Sequence, residues 1–199
     1  MIRRVLTPTV HSNRQARLTG LCFSLVVGAM AHAQAATAGH CGAQEQVVFS
    51  CQVGAKTVSL CSAGHDAQIA SLTYRYGRRG KVENEFIANA DNGRRFFATA
   101  SPLKPGASIN QLWFDNGDTR FLVTECVGGR CPYQAGLAVL RGDELLMRQR
   151  CARSEPDTAA FSRQIITFGS GSVDSRSQTP LIQIDDADNG LAKIYATKR

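Results

Sequence analysis

Six cysteines, at positions 41, 51, 61, 126, 131 and 151, are the residues of this 199-residue chain whose type and placement most directly imply chemistry. They fall at the ends of short apolar runs or beside turns, where cross-links suit a small β-domain. The chemistry expected of Cys41, Cys51, Cys61, Cys126, Cys131 and Cys151 is therefore formation of up to three disulfides. Cys126 and Cys131 flank a four-residue loop as opposed partners and are the favoured pair. A turn centred on Gly54 sets Cys51 opposite Thr57, so Cys51 and Cys61 do not bond directly without a bulge and their partners stay open.

Other reactive types are present without the spacing their chemistry needs. Cys61 with His65, and His40 beside Cys41, are zinc-type ligands, but no paired C-x2-C knuckles occur and an oxidising compartment would consume the thiolates. His65 is read as a surface loop residue. The run Asp185-Asp186-Ala187-Asp188-Asn189-Gly190 has the outline of a calcium loop, yet Ala187 and Ala196 stand where oxygen ligands belong, so an Asp-Asn-Gly turn is preferred. No metal residue and no cofactor is assigned. A serine or cysteine nucleophile lacks a strand-elbow-helix context, leaving no catalytic residue. Glu83 and Glu85 share a strand face, and a glycosidase-like pair would need the fold to bring Asp115 or Asp118 to one of them.

One candidate binding site remains. Tyr74, Arg75, Tyr76, Arg78 and Arg79 lie in a Tyr-Arg-Tyr-Gly-Arg-Arg-Gly-Lys turn, with Arg94-Arg95 a short way on. Aromatics interleaved with cations can hold anionic glycans, phosphates or acidic protein surfaces. The competing explanation is an edge hairpin whose basic residues discourage association and pair with nearby glutamates. Arg141-Gly142-Asp143 matches an adhesion tripeptide, but Gly-Asp is also what a hairpin turn selects.

The elements that would position these residues are strands. From Glu45 onward, short runs of Val, Phe, Leu, Ile, Thr and Tyr alternate with glycine-bearing turns. That pattern predicts an all-β fold: an antiparallel, hairpin-rich, disulfide-bonded sheet forming a partly closed barrel or a sandwich. The clearest hairpin joins Ile109–Phe114 to Thr119–Cys126 across Asp115-Asn116-Gly117-Asp118. Four more are expected: Val47–Cys51 with Thr57–Cys61, Leu72–Tyr76 with Val82–Phe86, Phe121 to Tyr133 around Val127-Gly128-Gly129-Arg130, and Leu137–Leu140 with Glu144–Arg148. Asp143–Arg150 also reads as a short helix, since it is rich in helix formers. Residues around 169–180 have the small polar composition of a weakly structured segment, flanked by short strands at Ile165–Phe168, Leu181–Ile184 and Ala192–Tyr195.

The first 33 residues read as a signal peptide: four arginines precede an apolar run from Leu21 to Met30, then small-x-small sites. Cleavage is placed after Ala33, with Ala35 and Ala38 as alternatives, leaving 34–199 as a single β-rich domain. The apolar run falls well short of the roughly 20 residues a membrane span needs, so no span is expected in the mature chain. Removing the four arginines leaves 19 basic residues against 16 acidic, a net of +3 instead of +7. That charge, interspersed with acids, gives no basis for nucleic-acid binding. It also removes Cys22, leaving an even number of cysteines for an oxidising compartment.

Val48-Phe49-Ser50-Cys51 through Val58-Ser59-Leu60-Cys61, then Leu72-Thr73-Tyr74-Arg75-Tyr76-Gly77, resembles a widespread set of small exported bacterial proteins with F-S-C, S-L-C and L-x-Y-R-Y/F-G strands. The resemblance covers about residues 47 to 86. It implies an envelope β-domain and assigns no catalytic residue; Cys126, Cys131 and Cys151 depart from its pattern. The expectation is a periplasmic or secreted binding module whose partner is a protein or glycan of the envelope. An envelope-polymer hydrolase using a carboxylate pair and a structural envelope component are the alternatives.

Overall fold

A computed structural model describes residues 39–65, 68–103, 106–131, 133–154, 166–167, 176–177 and 179–185. The leader, the Asp-Asn-Gly turn near 188 and the strand expected at Ala192–Tyr195 lie outside the described residues. Four strands form an antiparallel meander: β1 (Gln46–Val53), β2 (Lys56–His65), β3 (Gln68–Arg78) and β4 (Lys81–Asn89). Five more form a second: β5 (Phe96–Leu103), β6 (Ala107–Asn116), β7 (Thr119–Gly128), β8 (Ala135–Arg141) and β9 (Glu144–Arg150). Short strands complete the set: β10 (Arg153–Ser154), β11 (Ile166–Thr167), β12 (Arg176–Ser177) and β13 (Ile182–Ile184). β10 adds to β1, making a five-stranded sheet, and β13 adds in parallel to β5, making a six-stranded one. β11 and β12 pair with each other, so the segment expected to be weakly structured contains at least one short strand.

The two larger sheets pack face to face through rings carried by both. Phe114 of β6 stacks on Phe86 of β4 with centroids 4.1 Å apart, and meets Tyr74 of β3 at 4.9 Å. Leu60, Leu72 and Ala88 from one sheet and Leu112, Val123 and Leu137 from the other complete this buried layer. Of the two architectures the sequence allowed, the sandwich is the one observed; the sheets do not close into a barrel. Alternation explains the pattern, since successive strand residues point to opposite faces. The six-stranded sheet is also buried on its other face, where Ile109, Trp113, Leu122, Tyr133, Ala138 and Leu140 cluster. This accounts for β6 being apolar on both sides.

Turn chemistry fixes the register. Asn116 pairs with Thr119, so the β6–β7 turn is Gly117-Asp118 alone, with Gly117 at φ +65°. Glycine first in a two-residue turn meets the need for a positive φ at little steric cost. Gln52 pairs with Thr57 and Cys51 with Val58, one residue from the pairing expected for Cys51. The terminal strands β4 and β9 each carry a bulge: Glu83 and Leu146 are extra residues between paired neighbours. Bulges twist an edge away from further pairing. Residues 144–150 are thus strand, not helix: the ladder to β8 overrides the helix propensity of Glu144 to Gln149. Arg141-Gly142-Asp143 spans the β8–β9 turn, Gly142 having φ +54°.

Three disulfides staple the sandwich: Cys41–Cys61, Cys51–Cys151 and Cys126–Cys131, with Cα atoms 5.4, 5.4 and 5.7 Å apart. Cys126–Cys131 closes the β7–β8 loop as its spacing suggested. Cys51–Cys151 sits where the chain changes sheets: the amide of Cys151 donates to Ala135 of β8, and the next amide, Ala152, donates to Gln52 of β1. Cys41–Cys61 pins residues 39–45 across the outer face of the five-stranded sheet, where the His40 amide also donates to Ser59 Oγ at 3.0 Å.

Candidate functional site

The β3–β4 hairpin carries all five residues singled out for binding, and strand alternation divides them. Tyr74 points inward, is fully buried, and packs its ring against Phe114 and Phe121. Burial pushes its phenol well above the ordinary value, and its hydroxyl has no hydrogen-bond partner among the described residues. Tyr74 is a core residue and, contrary to the expectation, is not presented to a ligand.

Arg75 points outward and is occupied by partners. Its Nη2 donates to Glu45 Oε1 at 2.9 Å, its Nη1 to Glu45 Oε2, its Nε to Glu85 Oε2 at 2.7 Å, and Nη1 also to the His40 carbonyl at 3.2 Å. Planar guanidinium geometry suits such a two-oxygen clamp. Arg75 therefore holds the 39–45 strap instead of presenting a free cation. Its hydrogen bonds hold the Glu45 carboxyl below its ordinary value of 4.5. A carboxylate whose folded pKa is lowered contributes stability above its unfolded pKa and loses it as pH falls through the folded value. As pH falls through the lowered value of Glu45, the protection of amides in residues 41–45, relative to their intrinsic exchange at the same pH, is expected to drop. Glu45→Gln is expected to lower that protection at every pH; wild-type protection that does not change with pH would show that the clamp does not fasten the strap.

Tyr76 is half-buried, with Lys56 Nζ 5.1 Å from its ring centroid, and Lys56 pairs with Glu83 at 2.6 Å. Lys56 was not anticipated in this group. It lies across the register from the hairpin, Thr57 pairing with Gly77, which only the fold reveals. Gly77 ends the Tyr-Arg-Tyr-Gly motif for a steric reason: a Cβ there would sit 2.1 Å from the Lys81 carbonyl oxygen. The close approach accompanies the Glu83 bulge. Beyond it, Arg78 pairs across the ladder with Lys81, leaving Arg79-Gly80 as the turn. Arg78, Arg79 and Lys81 are exposed, and among the described residues none of the three has an ion-pair partner.

Arg94 and Arg95 do not join this tip. They follow the far end of β4, which at about 3.3 Å per residue is a strand length away. The Arg94 guanidinium lies 5.5 Å from the Phe86 ring centroid and Arg95 donates to the Pro180 carbonyl. His40 Nε2 donates to the Gly77 carbonyl at 3.0 Å, tying the strap to the hairpin base.

The carboxylates considered for hydrolysis are each engaged by a cation. Glu83 pairs with Lys56, Glu85 with Arg75, Asp115 with Arg120 through two bonds of 2.7 and 2.8 Å, and Asp118 with Arg141 at 3.4 Å. Lys56 holds Glu83 below the usual carboxylate range, the opposite of what a general acid requires. Cys41, Glu45 and Cys61 bring ligand-type atoms within 4.8 Å of one another, but the two sulfurs are bonded together and offer no thiolate. The same bond takes Cys61 from a zinc reading with His65, which forms the end of β2, pairing with Gln68, and not a loop.

No family model, curated protein or solved structure matches this chain. Among the described residues no helix is long and apolar enough to cross a membrane.

Proposed function

We propose that this protein is an exported binding module of the periplasm or extracellular space, docking an anionic envelope protein or glycan through the tip of its β3–β4 hairpin. The observation that carries this reading is the contrast within one hairpin. Arg75, Lys56, Glu83 and Glu85 neutralise each other towards its body, whereas Arg78, Arg79 and Lys81 at its tip are exposed and have no ion-pair partner among the described residues. Two guanidinium groups and an ammonium on a rigid turn suit carboxylate, sulfate or phosphate groups. Rigidity matters because ordering a flexible loop on binding would subtract from affinity. Three disulfides fit an oxidising compartment, and the leader-like amino terminus fits export to one.

The test compares oxidised residues 34–199 with Arg78→Ala/Arg79→Ala/Lys81→Ala on immobilised dextran sulfate and polyglutamate. The wild type is expected to be retained at low salt and the triple variant to elute about twofold lower in salt, since fewer counterions are released. Identical elution would remove the tip from the case. Circular dichroism of the variant should match, because no described core residue is altered.

A further inference from the structure

The three disulfides are not equivalent as chemical groups. Cys61 is 0% exposed, Cys51 1% and Cys41 6%, so each of the bonds Cys41–Cys61 and Cys51–Cys151 has at least one end sealed in the interior. Opening Cys51–Cys151 from the solvent side would expel a thiolate from Cys51 into an apolar core, where a charged sulfur is disfavoured. Cys126 and Cys131 are both partly exposed, and they close a bond spanning only five positions. The β7–β8 ladder next to it runs independently from Glu125 with Ala135 to Thr119 with Arg141. Losing the bond therefore loosens Gly129 and Arg130, beyond the end of β7, while Val127 and Gly128 stay paired with β6 and the sheet is not undone.

The two sulfurs also differ. Cys126 packs its side chain against the cluster of Ile109, Trp113 and Leu122, whereas Cys131 lies on the loop with its sulfur 3.3 Å from the Gly128 carbonyl oxygen. Exposed Arg130 immediately precedes it. Arg150, exposed at the end of β9, places its guanidinium 5.8 Å from the ring of Tyr133, two residues further on. The one described carboxylate adjoining the bond in sequence, Glu125, is buried and accepts from Asn110 Nδ2 at 3.2 Å.

We propose that Cys126–Cys131 is a thiol-exchange site, at which an anionic thiolate attacks Sγ of Cys131. The new sulfur–sulfur bond forms as the Cys131–Cys126 bond breaks, its electron pair leaving on Cys126 Sγ, which takes a proton from water. A second thiolate from the reductant then attacks the reductant's own sulfur in the mixed disulfide. That step releases Cys131 as thiolate and yields the oxidised disulfide of the reductant, two electrons having passed to the protein. Exposed guanidinium groups beside the target raise the local concentration of anionic thiols. This site is separate from the basic hairpin and does not depend on it.

The experiment uses oxidised residues 34–199 with limiting glutathione, an anionic thiol, or cysteamine, a cationic one, at matched thiolate concentration. Acid quenching and peptide mapping read which cysteines have opened and which carries the adduct. The Cys126–Cys131 bond is expected to open at least about tenfold faster than either other bond, with the adduct on Cys131. Glutathione is expected to outpace cysteamine by about threefold or more, the ratio falling towards one in Arg130→Ala/Arg150→Ala. Opening of Cys51–Cys151 or Cys41–Cys61 first, or an adduct on Cys126, would overturn the assignment of the site. A ratio unchanged by the double substitution would overturn the selection of anionic thiols. Retention of the far-ultraviolet spectrum after opening separates local exchange from unfolding, and its collapse would also count against the proposal.

Discussion

Phe114→Ala is expected to cost about 4 to 5 kcal/mol of folding stability, the upper part of the range for truncating a buried aromatic. Phe114 is 1% exposed, and its ring is the one shared by most of the core's aromatic contacts. It stacks on Phe86 at 4.1 Å and Phe121 at 5.2 Å, and meets the edges of Tyr74 at 4.9 Å and Phe96 at 5.5 Å. Those partners come from β4, β7, β3 and β5, so one truncation opens a void touching both sheets. Rings held on two sheets cannot collapse into it without shifting backbone. Urea denaturation of the oxidised protein measures the loss. Phe97→Ala provides the comparison, because Phe97 is only partly buried and stacks on Trp113 at 6.0 Å on the other face. About 1 to 2 kcal/mol is expected there. Should Phe97→Ala prove the more damaging, the centre of cohesion lies on the wrong side of the six-stranded sheet. Phe114→Leu, expected to cost about 1 to 2 kcal/mol, keeps the comparison measurable if the alanine variant does not fold.

The second large effect belongs to the bond between sheets. Replacing Cys51 and Cys151 together by alanine is expected to cost about 4 to 5 kcal/mol in the chain-entropy account, because the bond closes a loop of 100 residues. The same account gives about 3 kcal/mol for Cys41–Cys61, with a separation of 20, and about 2 for Cys126–Cys131, with a separation of 5. The ranking of three double-alanine variants in urea is therefore the informative measurement. A smaller loss for Cys51/Cys151 than for Cys126/Cys131 would show that native packing, not restriction of the unfolded chain, governs these bonds.

What could be read in advance follows sequence distance. Cys126 with Cys131 was legible because five residues around a glycine-bearing loop leave few geometries. Cys51 with Cys151 was not, since it depends on where β9 ends against β1. Pairing of Arg75 with a nearby glutamate was legible, and Glu85 across the hairpin is one, but its second partner Glu45 lies 30 residues away, on a strap whose course no local pattern encodes. Tyr74 could have been set aside from the outset: on a strand, Tyr74 and Arg75 must face opposite ways, and the flanking apolar residues marked the inner face. The strand at Glu144–Arg150 illustrates the converse, a segment of helix formers that pairing with a neighbour holds extended.

The crossing at Cys151 also constrains the order of assembly. A chain emerging amino end first presents Cys41, Cys51 and Cys61 together, and β1 to β4 can pair long before position 151 appears. Oxidation at that stage can join Cys51 only to a neighbour that the finished molecule assigns elsewhere. Cys41–Cys61 can close at that stage, so Cys51 must either wait as a thiol for Cys151 or be released from a wrong partner, and a disulfide isomerase should speed only the second route.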